Sequence, residues 1–288
     1  MKDLNYQLKQ LCQRNRDGSF ATQHQRERQL SLIASQLHKL GYRNLKCSNI
    51  KTKHVNALVQ HWREKGLVTG TIKNRMSAIR WWAEKVNRVS VVPKDNAKLG
   101  IPDRQFVTNE NRSASLSESQ LANVKDEHVR VSLELQREFG LRREEAIKFQ
   151  PSVADKGAEI RLQPTWTKGG KERCVPITTE SQRVVLEKAK RLAGRGSLIP
   201  SNRSYVQQLR IYERHTARAG LSKLHGLRHM YAQQRYEELT GWRCPAAGGP
   251  TSKSLTVSQK ALDFEVRLVI SKELGHDREQ VTAVYLGR

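Results

Sequence analysis

The residues best suited to chemistry lie scattered through the second half of the chain. The stretch "LHGLRHMYAQQRY", residues 224–236, sets His225 three positions before Arg228, with His229, Tyr231, Arg235 and Tyr236 close behind. His225 and His229 stand i, i+4 on one helical face, a spacing that zinc sites use. A zinc site also wants a third ligand and usually a glutamate between the two histidines, and neither lies nearby. A solvated basic helix is the plain alternative. The remaining one is half of a phosphate-handling site, since guanidinium grips phosphate oxygens bidentately and imidazole changes charge near neutral pH.

Other positions supply the company that such a site needs. "FGLRREEAIKF" starts a helix after a glycine turn at Arg142, with Glu145 at i+3, able to hold the guanidinium in one orientation. "WTKGGKERCVPI" puts Lys168 at the tip of a two-stranded hairpin. "KELGHDREQVTAVYLGR" places His276 nine residues before Tyr285, the last aromatic residue of the chain. Taken singly, these are a surface ion pair, a Gly-Gly turn and an ordinary helix. Arg143, Lys171, Tyr231 and Tyr236 are the neighbours that could take the same parts.

The elements that must position these residues are mostly helical. Leu30, Leu32, Ile33, Leu37 and Leu40 form one stripe ending at Gly41; Val55, Leu58, Val59 and Trp62 form a second, with Thr52 as the expected N-cap. A third carries Ile72, Met76, Ile79, Trp82 and Val86, with Lys73, Arg75 and Arg80 making its opposite face basic. Residues 91–114 lose this periodicity and gather Pro, Gly, Asn and Ser, the composition of a linker. A second domain starts at "SLSESQL" with Ser117 or Ser115 as cap. "EIRLQPT" and "RCVPIT" read as strands joined by the "TKGGKE" turn, and Pro164 confines the first to an edge or a bulge. Helices then run to the end, broken by 240–259, a Gly-, Pro- and Ser-rich stretch expected as a long loop. The expected fold is mainly α with a small antiparallel sheet: domain 1–90, linker 91–114, and a mixed α+β domain 115–288.

Composition narrows the partner. The 288 residues carry 52 Lys and Arg against 28 Asp and Glu, a formal +24. Residues 1–110 hold 21 basic and 8 acidic residues (+13), leaving 31 and 20 (+11) for the rest, so the excess runs through the whole chain. Charge of this size and spread fits a polyanion, most simply nucleic acid. Binding is then expected to weaken steeply with salt as counterions are released. The four cysteines form no CxxC pair, which suggests reduced thiols and no structural zinc cluster. The N-terminus lacks the apolar core of a signal peptide, and no apolar run approaches the roughly 20 residues that span a bilayer. A cytoplasmic, nucleoid-associated protein without membrane contact is the expectation.

Together the motifs resemble those of the tyrosine recombinase, or phage integrase, family. They occur in order: Gly-Leu-Arg-x-x-Glu at 140–145, Thr-Lys-Gly-x-Lys-x-Arg-x-Val-Pro at 167–176, His-x-Leu-Arg-His at 225–229, Leu-Gly-His at 274–276 and Tyr at 285. The resemblance covers roughly 115–288, and the first domain is similar to the family's SAM-like core-binding domain. It implies that Tyr285 attacks phosphorus to give a 3′-phosphotyrosyl link and a free 5′-hydroxyl, with no cofactor, metal or ATP. Arg142 and Arg228 would stabilise the non-bridging oxygens, Lys168 would protonate the leaving oxygen, and His225 and His276 would assist. Glu145 would orient Arg142, and Lys171 would contact DNA beside Lys73, Arg75 and Arg80. The implied partners are double-stranded DNA with specific recombination sites, clamped by the two domains, a homo-tetramer on that DNA, and accessory DNA-bending or directionality proteins of a mobile element or Xer-like system. A type IB topoisomerase and a catalytically idle DNA-binding protein are the rival readings. The sequence ends three residues after Tyr285, where many relatives continue with a helix that docks on a neighbour; either another element is expected to couple the subunits, or the sequence is a shortened form.

Overall fold

Apolar residues at helical spacing wind the first hundred residues into α1 (Asp3–Arg14), α2 (Phe20–Lys39), α3 (Thr52–Glu64) and α4 (Thr69–Lys85). The computed structural model describes residues 3–167, 169–276 and 278–288. Leu30, Ile33 and Leu37 of α2, Val55, Leu58 and Trp62 of α3, and Ile72, Met76, Ile79 and Trp82 of α4 interlock in one core. Ser19 caps α2 by accepting the Thr22 N–H. Thr52, expected to cap α3, is instead its first helical residue. The helix starts on Lys51, whose N–H donates to buried His54 Nδ1 at 3.0 Å. The His54 N–H in turn donates to the Lys51 carbonyl at 2.9 Å, so the start is closed without a hydroxyl cap.

The chain divides into two compact units at Gln105 and Phe106. Of the stretch with linker composition, the first part belongs to the first unit's core, because Val92 and Ile101 are buried in it. Residues 101–117 form neither helix nor strand.

In the second unit, Ser117 and Gln120 cap α5 (Glu118–Ala122) reciprocally, and Asp126 caps α6 (Glu127–Phe139) through a 3.0 Å bond from the Val129 N–H. Then come α7 (Arg143–Lys148), α8 (Pro151–Ala154), β1 (Glu159–Leu162) and β2 (Arg173–Pro176). The two strands pair antiparallel, with Ile160 opposite Val175 and Leu162 opposite Arg173. β1 stops two residues before Pro164, which cannot donate to a ladder. Five helices complete the unit among the described residues: α9 (Glu180–Ala193), α10 (Tyr205–Arg218), α11 (Gly226–Thr240), α12 (Val257–Glu273) and α13 (Glu279–Leu286). Its main core gathers Phe139, Phe149, Trp166, Val175, Leu186, Tyr236, Ile270 and Leu286.

The stretch 240–259 is a connection, as expected, but a packed one. Cys244 and Ala246 are buried, Pro245–Ala247 makes a 3-10 turn, and Trp242 Nε1 donates to Tyr236 Oη at 3.2 Å. One of its glycines serves close approach: a Cβ on Gly249 would fall 1.7 Å from the Arg243 carbonyl oxygen. Residues 257–259 already form the first turn of α12.

Candidate active site

The site is framed by a carboxylate that two arginines share. Helix α6 ends on Gly140 at φ +59°, where a Cβ would stand 2.6 Å from Tyr231 Cδ1, so a side chain there would meet both strain and a ring. The turn delivers Arg142 to the N-cap of α7. Glu145, three residues on, accepts the Arg142 backbone N–H at 2.7 Å and its Nη1 at 2.8 Å. The same carboxylate receives both terminal nitrogens of Arg173 from β2, each at 2.7 Å, and Arg173 Nε donates to the Glu273 carbonyl at 2.9 Å. Burial alone would raise the Glu145 carboxyl; the Arg173 hydrogen bonds and the charges of Arg173, Arg142 and Arg228 outweigh it and hold it at about 2. It is a fixed anion that orients two cations.

Arg228 rises from the first turn of α11, only 1% exposed. Its Nη1 donates to the Gly140 carbonyl at 2.5 Å, its Nη2 to the Leu274 carbonyl, and its Nε to Tyr285 Oη at 3.3 Å. Burial first, then the charges of Arg142 and Arg173, lower its pKa to about 10, and Tyr285 and Glu145 work against that fall. The group therefore stays charged at neutral pH. Arg142 Nη2 reaches the same Leu274 carbonyl and His276 Nε2, both at 3.3 Å. The left-handed turn at Gly275, packed against Arg173, carries the chain from α12 to His276.

Three imidazoles surround the phenol of Tyr285 on α13. Ring centroids lie 4.7 Å away for His229, 6.0 Å for His225 and 6.3 Å for His276. Burial followed by Arg142, Arg228 and Arg173 pushes His276 down to about 4; burial followed by His225, Arg112 and Arg228 does the same to His229. His225 is lowered by burial and then by Arg228 and Arg142. At neutral pH His229 and His276 are neutral and can donate or accept without adding charge. Among the described residues no group of three His, Cys, Asp or Glu is placed to hold a metal ion.

The structure thus brings Arg142, Glu145, His225, Arg228, His276 and Tyr285 together. Lys168 lies outside the described residues. Lys171 is exposed on the hairpin, its carbonyl accepting Thr167 Oγ1 at 2.7 Å. On α4, Lys73 pairs with Asp103 at 2.9 Å, and Arg75 lies 5.3 Å over the Trp62 ring. Arg80 turns inward, its Nη2 donating to the Pro93 carbonyl at 3.0 Å and to Asn96 Oδ1 at 2.8 Å. Its guanidinium holds the 93–96 segment, a use that the basic face of the helix did not reveal. The alternatives are placed elsewhere. Arg143 pairs with Glu213 at the surface, while the Tyr231 and Tyr236 hydroxyls donate to buried Glu273 and Asp263. Arg173 was missed as a site residue. Its signal was available: in an alternating strand it shares the inward face with Val175, and a charge there must be paired.

Two guanidiniums that share the Leu274 carbonyl, one of them also bonded to a phenol hydroxyl, can hold a phosphodiester and offer it an internal nucleophile. That is the arrangement of a phosphoryl-transfer enzyme of the covalent type. Comparison with known proteins agrees. A family model described as "Phage integrase, N-terminal" matches residues 1–92, and one described as "Integrase" matches residues 103–234. The chain belongs to the phage integrase, or tyrosine recombinase, family, whose enzymes cut and rejoin DNA through a tyrosine. No curated protein matches the sequence. Solved structures share the fold: a lambda integrase dimer bound to a COC′ core site (TM-score 0.61, 15% identity, 99% of this chain and 78% of that one). The Tn1549 transposon integrase with circular intermediate DNA gives 0.57, 12%, 100% and 96%. The XerH recombinase bound to difH gives 0.55, 15%, 98% and 80%. The integrase model ends at residue 234, so the placement of His276 and Tyr285 rests on the geometry above.

Proposed function

We propose that this chain is a site-specific DNA recombinase of an integrating element, with Tyr285 as nucleophile and Arg142 and Arg228 as the phosphate clamp. The observation that carries this reading is the 3.3 Å contact between Arg228 Nε and Tyr285 Oη within one chain, beside an Arg142 anchored on the same Leu274 carbonyl. Attack by Oη on phosphorus forms the 3′-phosphotyrosyl bond and breaks the bond to the 5′ oxygen, which leaves as a hydroxyl after taking a proton. The phenol proton passes to a neutral imidazole, for which His225 and His276 are placed, and Lys168 protonates the leaving oxygen. Attack by a 5′-hydroxyl on the phosphotyrosine reverses the step, so the bond energy is conserved. Glu145 keeps Arg142 aimed, while Lys73, Arg75 and Lys171 contact the DNA backbone.

The partner is duplex DNA, bound by both units and worked on by a homo-tetramer in the cytoplasm, at the nucleoid. In support, the similar structures are DNA complexes and include a lambda integrase tetramer on a Holliday junction. The test selects binding sites from a random duplex library, nicks the selected duplex near its cleavage positions and looks for protein covalently joined to DNA. Wild type should form the adduct, and Tyr285→Phe should form none. No adduct from wild type, or an equal yield from Tyr285→Phe, would defeat the reading.

A further inference from the structure

Helix α13 is eight residues long, barely two turns, and a helix so short is not stable without tertiary support. Packing on α11 and α12 supplies most of it, and a strap of chain ahead of α5 adds directional contacts. Asn109 Nδ2 donates to the Arg288 carbonyl at 2.9 Å, and the Arg288 N–H donates back to Asn109 Oδ1 at 2.9 Å. One amide thus engages both backbone groups of a residue, as a strand partner would, fixing orientation as well as distance. Gly287 makes room for the contact: a Cβ there would stand 2.6 Å from Asn109 Oδ1 and 2.9 Å from the Ala246 nitrogen.

Further along the strap, Asn111 Oδ1 accepts Gln233 Nε2 at 3.1 Å, and that nitrogen also donates to the Tyr285 carbonyl at 3.3 Å. Gln233 is 6% exposed, and the Tyr285 carbonyl that it engages is also hydrogen-bonded by the His229 ring, so Gln233 ties the strap to that carbonyl while His229 shares it. The Ala114 N–H then donates to the Gly226 carbonyl at 3.0 Å, on the turn of α11 that carries Arg228. A Cβ on Gly226 would lie 2.6 Å from Ala114 Cβ, so strap and helix are in close contact there. The strap therefore grips the chain just after α13, the Tyr285 carbonyl through Gln233, and the base of the Arg228 helix.

We propose that Asn109 and Gln233 are positioning residues for Tyr285, acting through the 109–114 strap to hold its hydroxyl beside Arg228 of the same chain. The proposal rests on the reading of Tyr285 as nucleophile, and its test has one arm independent of that reading. Asn109 is exposed, so Asn109→Ala folds; Gln233→Leu tests the buried end. At saturating DNA, each variant should form the covalent adduct roughly tenfold more slowly than wild type, with DNA affinity unchanged. In the second arm, hydrogen exchange of the amides from Thr282 to Leu286 should speed up in the free protein. Adduct formation at or above the wild-type rate in both variants would overturn the proposal, as would a loss that merely tracks weaker DNA binding. If wild type itself forms no adduct, the proposed function fails; unchanged exchange in both variants would then dispose of the strap as well.

Discussion

The two units solve the problem of a stable interior differently. In the first, among the described residues, the buried set is apolar apart from His54, which accepts a backbone N–H at the start of its own helix. In the second, Glu134, Gln136, Glu145, Arg173, Arg228, Gln233, Asp263, Arg267 and Glu273 are all buried. An apolar core is non-directional: its stability follows area and fit, and it tolerates exchange between residues of similar volume. A buried polar network fixes angles, but each member depends on its partner. The unit that must aim two guanidiniums at one point is built the second way.

The sharpest way to break this contrast is Glu145→Gln. It leaves Arg173 and Arg142 without their shared counter-charge, and disrupting a buried pair of this kind costs about 3–5 kcal/mol. Urea unfolding followed on the second unit should show that loss; a cost below about 1 kcal/mol would reduce the network to surface-like pairing.

A middle-sized effect comes from pH. His229 and His276 hold pKa values of about 4 against 6.5 for the free group. Their folded pKa values are depressed, so the unfolded chain takes up protons first, and stability falls as pH drops from 6.5 towards 4. Glu145, at about 2 against 4.5, stabilises above 4.5 and loses that contribution as pH falls towards 2. Melting midpoints measured across pH 7 to 4 should fall for wild type and fall less for His229→Gln. Parallel curves would contradict the assignment of the buried neutral imidazole.

The smallest effect belongs to the first unit. Ile33 is fully buried in its apolar core, and Ile33→Val should cost about 0.5–1.5 kcal/mol in a thermal melt, with no change in the rate of adduct formation. A cost as large as that of Glu145→Gln would erase the distinction between the two interiors.

Much of the fold was legible from pattern. Helical periodicity located α2, α3 and α4, alternation located the hairpin, and Ser117 marked a helix start. The resemblance to the family's Gly-Leu-Arg motif favoured Arg142 over Arg143, and the structure pairs Arg142 with buried Glu145 and Arg143 with Glu213 at the surface. What one face or one composition left undecided was where side chains point. Arg80 belongs to a basic face yet bonds inward, and residues 240–249 have loop composition yet bury Cys244 and Ala246. A side chain's direction depends on what the rest of the chain brings beside it.

The inventory was readable in the linear chain: which residue types are present, in what order, on what local elements, with charge enough to seek a polyanion. Local propensity and spacing act over a few residues, and those were readable. Folding alone makes Glu145 serve Arg173 as well as Arg142, seats Arg228 on the Gly140 and Leu274 carbonyls, and brings a strap at 109–114 to the end of the tyrosine helix. Those contacts join residues 28 to 179 positions apart, and their geometry exists only once the intervening chain has folded.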